Sequence, residues 1–361
     1  MKKIRVLIVD DSSVIRNIVT EVLSADDDIE VVGEAKDPFI ARDLIKELNP
    51  DVITLDVEMP RMDGITFLRN LMRLRPLPVV MLSTLTTKGA DITLQALELG
   101  AIDFIAKPSF EQLMVSKDSF SETLISKVKQ SVKVDQKNYQ LANALKSNNT
   151  IKTQAFTGVK RNNHLVAIGA STGGTEAIKE VLIKLPENSP PIVIAQHIPE
   201  TFSLRFAERM NDNCVVTVQE AKHGQKIKLG NVYIAPGDQH LTVTAKGGSL
   251  FCTLEDTEPV NRHKPAVDVL FNSLEPIAGN VQALLLTGMG QDGAQGMLTL
   301  KNAGAYTIIQ DKPSSLIWGM PGSAHSLNAH CKQVSLAKMT KEILRYAGLN
   351  RDQMRSELNE H

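Results

Sequence analysis

Three separated stretches carry a hydroxyl, an imidazole and a carboxylate in settings where the three could act together. Gly169-Ala170-Ser171-Thr172-Gly173-Gly174 follows an apolar run and precedes a helical one through Ile178, Val181 and Leu182. Glycines flanking Ser171 allow a tight strand-to-helix turn that presents the hydroxyl at a helix N-terminus, where amide N–H groups favour a developing oxyanion. A dinucleotide loop would need glycine where Ser171 stands and an acid about 20 residues beyond Gly174, where the sequence is apolar. The alternative for this stretch is a tight packing turn. A nucleophilic serine needs a base. His197 directly follows the apolar run 192–196 and so shares the sheet edge of Ser171, whereas His164 precedes its strand and faces the opposite edge. His361 is the last residue, and His240 and His263 stay open as alternatives. Asp292 lies in Gly288-Met289-Gly290-Gln291-Asp292-Gly293 after another apolar run, placed to orient an imidazole or, in isolation, to cap a helix. The order serine, histidine, aspartate differs from that of α/β-hydrolases, so the G-x-S-x-G match does not indicate membership of that family.

A second cluster is acidic. Asp10 and Asp11 follow the run 4–9, Asp56 follows 52–55, Ser83 and Thr84 follow 78–82, and Lys107 precedes Pro108. Ligands of a parallel α/β sheet bind beyond the carboxyl ends of its strands. Three carboxylates converging there repel one another and need a cation, and oxygen ligands with retained water suit Mg²⁺. A lysine and a hydroxyl at neighbouring strand ends would then contact a phosphoryl group on the central carboxylate. Glu58, two places beyond Asp56, adds negative charge.

Both clusters require parallel sheets to position them. The first 110 residues alternate short β-rich runs (4–9, 29–33, 52–55, 78–82, 102–105) with helical repeats such as Val14, Ile15, Ile18, Val19 and Val22. This is the pattern of a doubly wound five-stranded parallel sheet. A last helix is expected near 119–132, after which residues 131–163 turn to Lys, Asn, Gln, Ser and Thr, a composition that cannot bury enough surface to offset its ordering entropy. Alternation resumes with strands at 165–169, 192–196, 281–287 and 305–309. A stretch with turns at Gly230, Pro236, Gly237, Asp238, Gly247 and Gly248 reads as a β-hairpin insertion containing strands at 231–235 and 250–254. The expected organisation is a first domain over 1–125, a linker over 126–163 and a second α/β domain over 164–350. Met339, Ile343, Leu344 and Ala347 form a core-facing stripe, and the charged end after Arg351 should fray.

Composition removes other classes. The 361 residues carry 40 basic and 41 acidic side chains with an aromatic fraction of 4%, which leaves no electrostatic or stacking footprint for a nucleic-acid partner. Residues 164–361 sum to −1, against a DNA-binding effector half, and the basic excess of +5 lies in 111–163, where it should stay solvated. Cys214, Cys252 and Cys331 are odd in number and far apart, as expected of reduced thiols in a cytoplasmic protein. No run approaches the roughly 18 apolar residues of a membrane span, so membrane insertion is not expected.

Ile8-Val9-Asp10-Asp11, Asp56, Ser83 and Lys107-Pro108 resemble a response-regulator receiver domain over about residues 3–125. That resemblance implies a flavodoxin-like fold in which Asp56 accepts phosphate from a histidine kinase and Asp10, Asp11 and Asp56 hold Mg²⁺. It also implies that Ser83 and Lys107 sense the phosphoryl oxygens and that Phe104 takes the switch aromatic position. Family members often carry a less acidic side chain where Glu58 stands. The Ser171 loop, Gln196-His197-Ile198-Pro199, Ala235-Pro236-Gly237-Asp238, Arg262-His263-Lys264-Pro265 and Leu286-Thr287-Gly288-Met289-Gly290 with Asp292-Gly293 together resemble the chemotaxis protein-glutamate methylesterases. By that resemblance Ser171 is the nucleophile, His197 its base and Asp292 the orienter, with the backbone N–H groups of Thr172 and Met289 as oxyanion donors. The implied enzyme, activated by phosphorylation, hydrolyses γ-glutamyl methyl esters on methyl-accepting chemoreceptors and deamidates receptor glutamines, for chemotaxis adaptation. Both reactions pass through a glutamyl-serine intermediate and need no cofactor. The rival reading is a docking module with a vestigial triad.

Overall fold

The structure, a computed structural model, describes residues 2–59, 62–107, 110–134 and 164–359, which belong to two compact units. Of the stretch expected as a linker, residues 126–131 complete a helix, and 135–163 lie outside the described residues.

In the first unit β1 (Ile4–Val9), α1 (Ser13–Ser24), β2 (Ile29–Ala35), α2 (Pro38–Leu48), β3 (Val52–Asp56), α3 (Gly64–Leu74), β4 (Val79–Ser83), α4 (Thr87–Leu99), β5 (Asp103–Ala106) and α5 (Phe110–Ser131) alternate without interruption. The strands form one parallel sheet in the order β2-β1-β3-β4-β5, the flavodoxin-like doubly wound order. Each residue of β3 and β4 is buried, as expected for central strands covered on both faces. Helix starts are set by side-chain caps: Ser12, Asp37, Asp63 and Thr86 each accept a hydrogen bond from the first turn that follows. Helix α5 begins at Phe110 instead of near 119, because Glu111, Gln112, Ser116, Lys117 and Asp118 hide any apolar stripe in its first turns.

The second unit contains β6 (Leu165–Ala170), α6 (Gly174–Leu182), β7 (Ile192–Gln196), α7 (Glu200–Asn213), β8 (Thr217–Glu220), β9 (Gln225–Lys226), β10 (Asn231–Ile234), β11 (His240–Lys246) and β12 (Ser249–Glu255). These are followed by α8 (Val267–Ser273), a 3₁₀ turn (Glu275–Asn280), β13 (Val281–Leu285), α9 (Ala294–Asn302), β14 (Tyr306–Gln310), α10 (Met320–Ser326), β15 (Lys332–Val334), α11 (Leu336–Ala347) and α12 (Arg351–Asn359). Seven strands form a parallel sheet in the order β15-β14-β13-β6-β7-β10-β8. The chain builds outward from β6 through β7 on one side and returns through β13 on the other, so the strand order reverses at the carboxyl ends of β6 and β13, where doubly wound sheets bind ligands.

The strand expected at 231–235 is not part of the hairpin: β10 joins the main sheet between β7 and β8. Its sequence Asn-Val-Tyr-Ile is buried from Val232 onward, the pattern of an interior parallel strand, and the antiparallel insertion is a separate sheet of β11, β12 and β9. Two further corrections concern the C-terminus. Leu344 is only half-buried, while Tyr346 completes the buried stripe and stacks on Tyr306 with 4.0 Å between ring centroids. The segment after Arg351 forms α12, held by Met354 in the core and by Arg345 pairing with Glu357 at 2.7 Å. Among the described residues no helix is long and apolar enough to cross a membrane.

Helix α3 starts flush against the end of β3, where a Cβ added to Gly64 would run into the carbonyl oxygen of Asp56. Main chain yields less readily than a side-chain tip, so Gly64→Ala is expected to destabilise the first unit by about 1–3 kcal/mol, read as a lower urea midpoint for that transition at unchanged m-value.

Candidate active site

Three adjacent strands deliver the residues at one edge of the seven-stranded sheet. The turn after β6 closes through Gly174 N–H to Ser171 O (2.7 Å) and passes through Gly173 at φ 74°, a left-handed position that glycine adopts without strain. His197 immediately follows β7, and its N–H extends the ladder to Ala170 O (3.1 Å). Asp292 lies in the turn after β13, and instead of capping its own helix it accepts from the N-terminus of α8, Val267 N–H at 2.6 Å and Asp268 N–H at 3.2 Å. Its Oδ2 also meets Nε2 of His197 at 2.8 Å.

Burial alone would raise the Asp292 pKa. The hydrogen bond and charge of His197, the Asn261 amide and the Val267 N–H outweigh it and hold the carboxyl at about 2. Because Asp292 engages Nε2, the nitrogen left for a serine is Nδ1, which is buried and without a hydrogen-bond partner. The Ser171 hydroxyl makes no hydrogen bond among the described residues, so the structure joins His197 to Asp292 and sets Ser171 at the head of the neighbouring strand without a serine–histidine bond. Apo sites commonly leave that bond open until substrate tightens it.

The Thr287–Met289 turn lies against the serine. Ser171 N–H donates to Thr287 O (3.1 Å), and a Cβ on Gly288 would come within 2.9 Å of Ser171 Cβ. Thr172 is buried, and its carbonyl accepts from the Thr287 hydroxyl at 3.1 Å. The backbones of Thr172 and Met289 therefore belong to the two turns that meet at Ser171. Two glutamines escaped the sequence reading. Gln196 Nε2 donates to Ser171 O (3.0 Å) and to His197 O (3.1 Å), tying the two turns together, while Gln310 Oε1 accepts Thr287 N–H at 2.8 Å. Each ends an otherwise apolar strand, and a buried amide at such a place must find partners; that pattern was the available signal.

The other histidines separate. His164 meets Gln282 at the opposite edge (2.9 Å). His240 is fully buried between Ala266 N–H and Glu258 O, a structural placement. His263 stacks on His197, with ring centroids 3.6 Å apart and planes 15° from parallel.

In the first unit, ligand oxygens of Asp10, Asp11 and Asp56 lie within 4.8 Å of one another. Lys107 Nζ bridges Asp10 Oδ2 and Asp56 Oδ1, at 2.7 Å from each. Burial and the charge of Asp10 push Asp56 up to about 6 despite that lysine. Three hard oxygen donors with uncompensated repulsion fit a divalent cation such as Mg²⁺. Ser83 is fully buried with its hydroxyl turned into α4, where it lies 3.3 Å from Gly89 O and accepts from Thr93 (2.7 Å), away from the carboxylates. Phe104 is buried, with Lys127 Nζ 5.5 Å from its ring centroid. Glu58 is exposed and faces Lys88 at 3.9 Å.

Comparison with known proteins matches residues 166–343 to the CheB methylesterase family and residues 6–117 to the response regulator receiver domain. A protein-glutamate methylesterase/protein-glutamine glutaminase of Xanthomonas oryzae pv. oryzae is 50% identical over 94% of this chain and 96% of the relative. One of the same name from Nitrosomonas europaea is 47% identical over 95% and 96%. Among solved structures, the Thermotoga maritima CheB methylesterase catalytic domain is 35% identical, covers 50% of this chain and 97% of that domain, and has a TM-score of 0.49.

The raised Asp56 pKa sets the sign of a pH effect. An acid whose folded pKa lies above its unfolded value of 3.8 contributes stability below pH 3.8 that is lost as pH rises through about 6. Mg²⁺ requires the ionised form, so its addition is expected to raise the melting temperature of the first unit more at about pH 7.5 than at about pH 5. Asp56→Asn should flatten that difference in paired thermal melts.

Proposed function

The chain belongs to the CheB methylesterase family and carries a response-regulator receiver domain ahead of the catalytic domain, and on that premise we propose that Ser171, His197 and Asp292 perform its ester hydrolysis. The protein is a protein-glutamate methylesterase/protein-glutamine glutaminase. The observation that carries the assignment of residues is the 2.8 Å contact of His197 Nε2 with Asp292, which leaves Nδ1 without a partner, on a residue whose main chain pairs with Ala170, next to Ser171.

Ser171 Oγ attacks the side-chain carbonyl carbon of the glutamyl ester as Nδ1 of His197 takes its proton. Asp292 stabilises the imidazolium through Nε2. The carbonyl oxygen becomes an oxyanion, for which the N–H groups of Thr172 and Met289 are the assigned donors. Collapse of the tetrahedral intermediate expels methanol, which takes the proton from His197, and leaves a glutamyl-serine ester. Water activated by the same imidazole then releases the glutamate and restores Ser171. A glutamine substrate follows the same course with ammonia as the leaving group. We assign chemoreceptor side chains as substrate and a histidine kinase as phosphodonor to Asp56, in the cytoplasm. Asp10, Asp11 and Asp56 would hold Mg²⁺, which when bound supplies charge neutralisation for phosphoryl transfer, while Lys107 bridges the carboxylates; Ser83, whose hydroxyl is held by α4, would have to turn toward Asp56 to sense the phosphoryl group, with Phe104 as the switch aromatic.

Two outcomes test this reading. Ser171→Ala should abolish methanol release from methylated receptor at unchanged melting temperature, since a half-buried hydroxyl without a partner contributes little to packing; turnover by a folded Ser171→Ala protein would rule the nucleophile out. Asp56→Asn should hold methanol release at the unphosphorylated rate when a small phosphodonor and Mg²⁺ are added, whereas the parent accelerates. A tenfold activation needs only about 1.4 kcal/mol of coupling.

A further inference from the structure

Beyond β12 the chain makes a two-residue turn at Asn261 and Arg262, with left-handed backbone at both (φ 53° and 68°). Val260 N–H donates to His263 O (3.1 Å) and His263 N–H to Val260 O (2.9 Å), which closes the turn as in a type I′ hairpin. This geometry aims two side chains at the catalytic pair from one rigid support. Asn261 Nδ2 donates one proton to Asp292 Oδ1 (2.8 Å) and the other to Asp268 Oδ2 (2.7 Å). Its amide thereby stands between two buried carboxylates that would otherwise repel directly. Asp268 needs that separation: burial, and further down the charge of Asp292, hold its carboxyl above the ordinary range, although Gly296 N–H also donates to it at 2.6 Å. His263 meanwhile covers the face of the His197 ring at 3.6 Å. An imidazole has a broad, two-fold preference about χ2, so a flat neighbour is what fixes its plane.

We propose that the Asn261–His263 turn is a positioning element of the active site, in which Asn261 fixes the Asp292 carboxylate and His263 fixes the plane of the His197 imidazole. The turn acts through His197 and Asp292 rather than on the substrate. It keeps Nε2 on Asp292, and therefore leaves Nδ1 available to Ser171. The proposal rests on the assignment of Ser171, His197 and Asp292 made above.

The test uses the full chain and methanol release from methylated receptor. His263 is only half-buried, so His263→Ala should keep the melting temperature, while Asn261→Ala, which unpairs two buried carboxylates, should lower it; both should lower kcat by about 10- to 100-fold, the scale of a displaced catalytic group, with KM within about two-fold of the parent. His263→Phe, which keeps a flat ring, should recover most of the rate. Asn261→Asp keeps the shape but sets a third carboxylate against Asp292, and should be slower than Asn261→Ala. In proton NMR the hydrogen-bonded Nε2–H of His197 should broaden or shift in Asn261→Ala. The proposal is overturned if both alanine variants keep kcat within about two-fold of the parent, or if the His263→Ala loss tracks a lower melting temperature and His263→Phe restores nothing. Ser171→Ala measured alongside separates the two ideas. Turnover by Ser171→Ala removes the triad and this proposal together, while a dead Ser171→Ala beside fully active turn variants removes only the positioning role.

Discussion

A single buried anion organises the catalytic unit. Asp292 is 2% exposed, and an ionised carboxylate at that depth is tolerable only when its oxygens are filled by donors. Four converge on it: the imidazole of His197, the Asn261 amide and the first two N–H groups of α8. Meeting that demand dictates much of the surrounding structure. Helix α8 must start at this point, the hairpin insertion must end in a turn that reaches it, and β7 must stop one residue before the histidine. These elements are far apart in sequence, and the shared carboxylate is where they meet.

The receiver unit holds the same residue type in the opposite condition. Asp56 is as deeply buried as Asp292, yet its nearest neighbours include another carboxylate, and Lys107 alone bridges the two. Its pKa rises to about 6 where that of Asp292 falls to about 2. One site is electrostatically complete, so its aspartate is a fixed charge against the His197 imidazole. The other is deficient in positive charge, the condition in which a cation or a covalent change at the carboxylate alters the energy of the whole strand-end cluster.

Much of this was legible because parallel sheets place function at strand ends. Asp10, Asp56, Lys107, Ser171 and His197 stand at or just beyond the end of an apolar run, and Asp292 in the glycine-rich turn that follows one, so reading the ends of the runs collected them. Most bounds shifted by a residue or two because capping side chains, not hydrophobicity, set where helices begin, whereas α5 began well before its expected start because its first turns show no apolar stripe. What stayed hidden lacked that periodic signal. β10 was misplaced because four apolar residues among turn glycines look alike in a hairpin and in an interior strand. His263 stands in the sequence only as an alternative base and nothing there singles out Asn261, and only left-handed backbone at two successive residues brings the pair to the site. Gln196 and Gln310 were visible as amides ending apolar strands, but their partners depend on which strands lie side by side.

The nitrogen chosen by Asp292 has a further consequence. Nδ1 is the imidazole nitrogen nearer the histidine main chain, so a base acting through it reaches only a short way from its own backbone. Its alignment with Ser171 is then governed less by side-chain conformation than by the spacing of two neighbouring strands, which is fixed by the His197 N–H to Ala170 O bond and by the Gln196 amide linking both carbonyls. On the proposed assignment, Ser171 and His197 form a two-strand cassette whose working distance is a property of the β-ladder itself. Such a cassette could be carried by any parallel sheet offering the same register, with the acid supplied separately from across the topological switch.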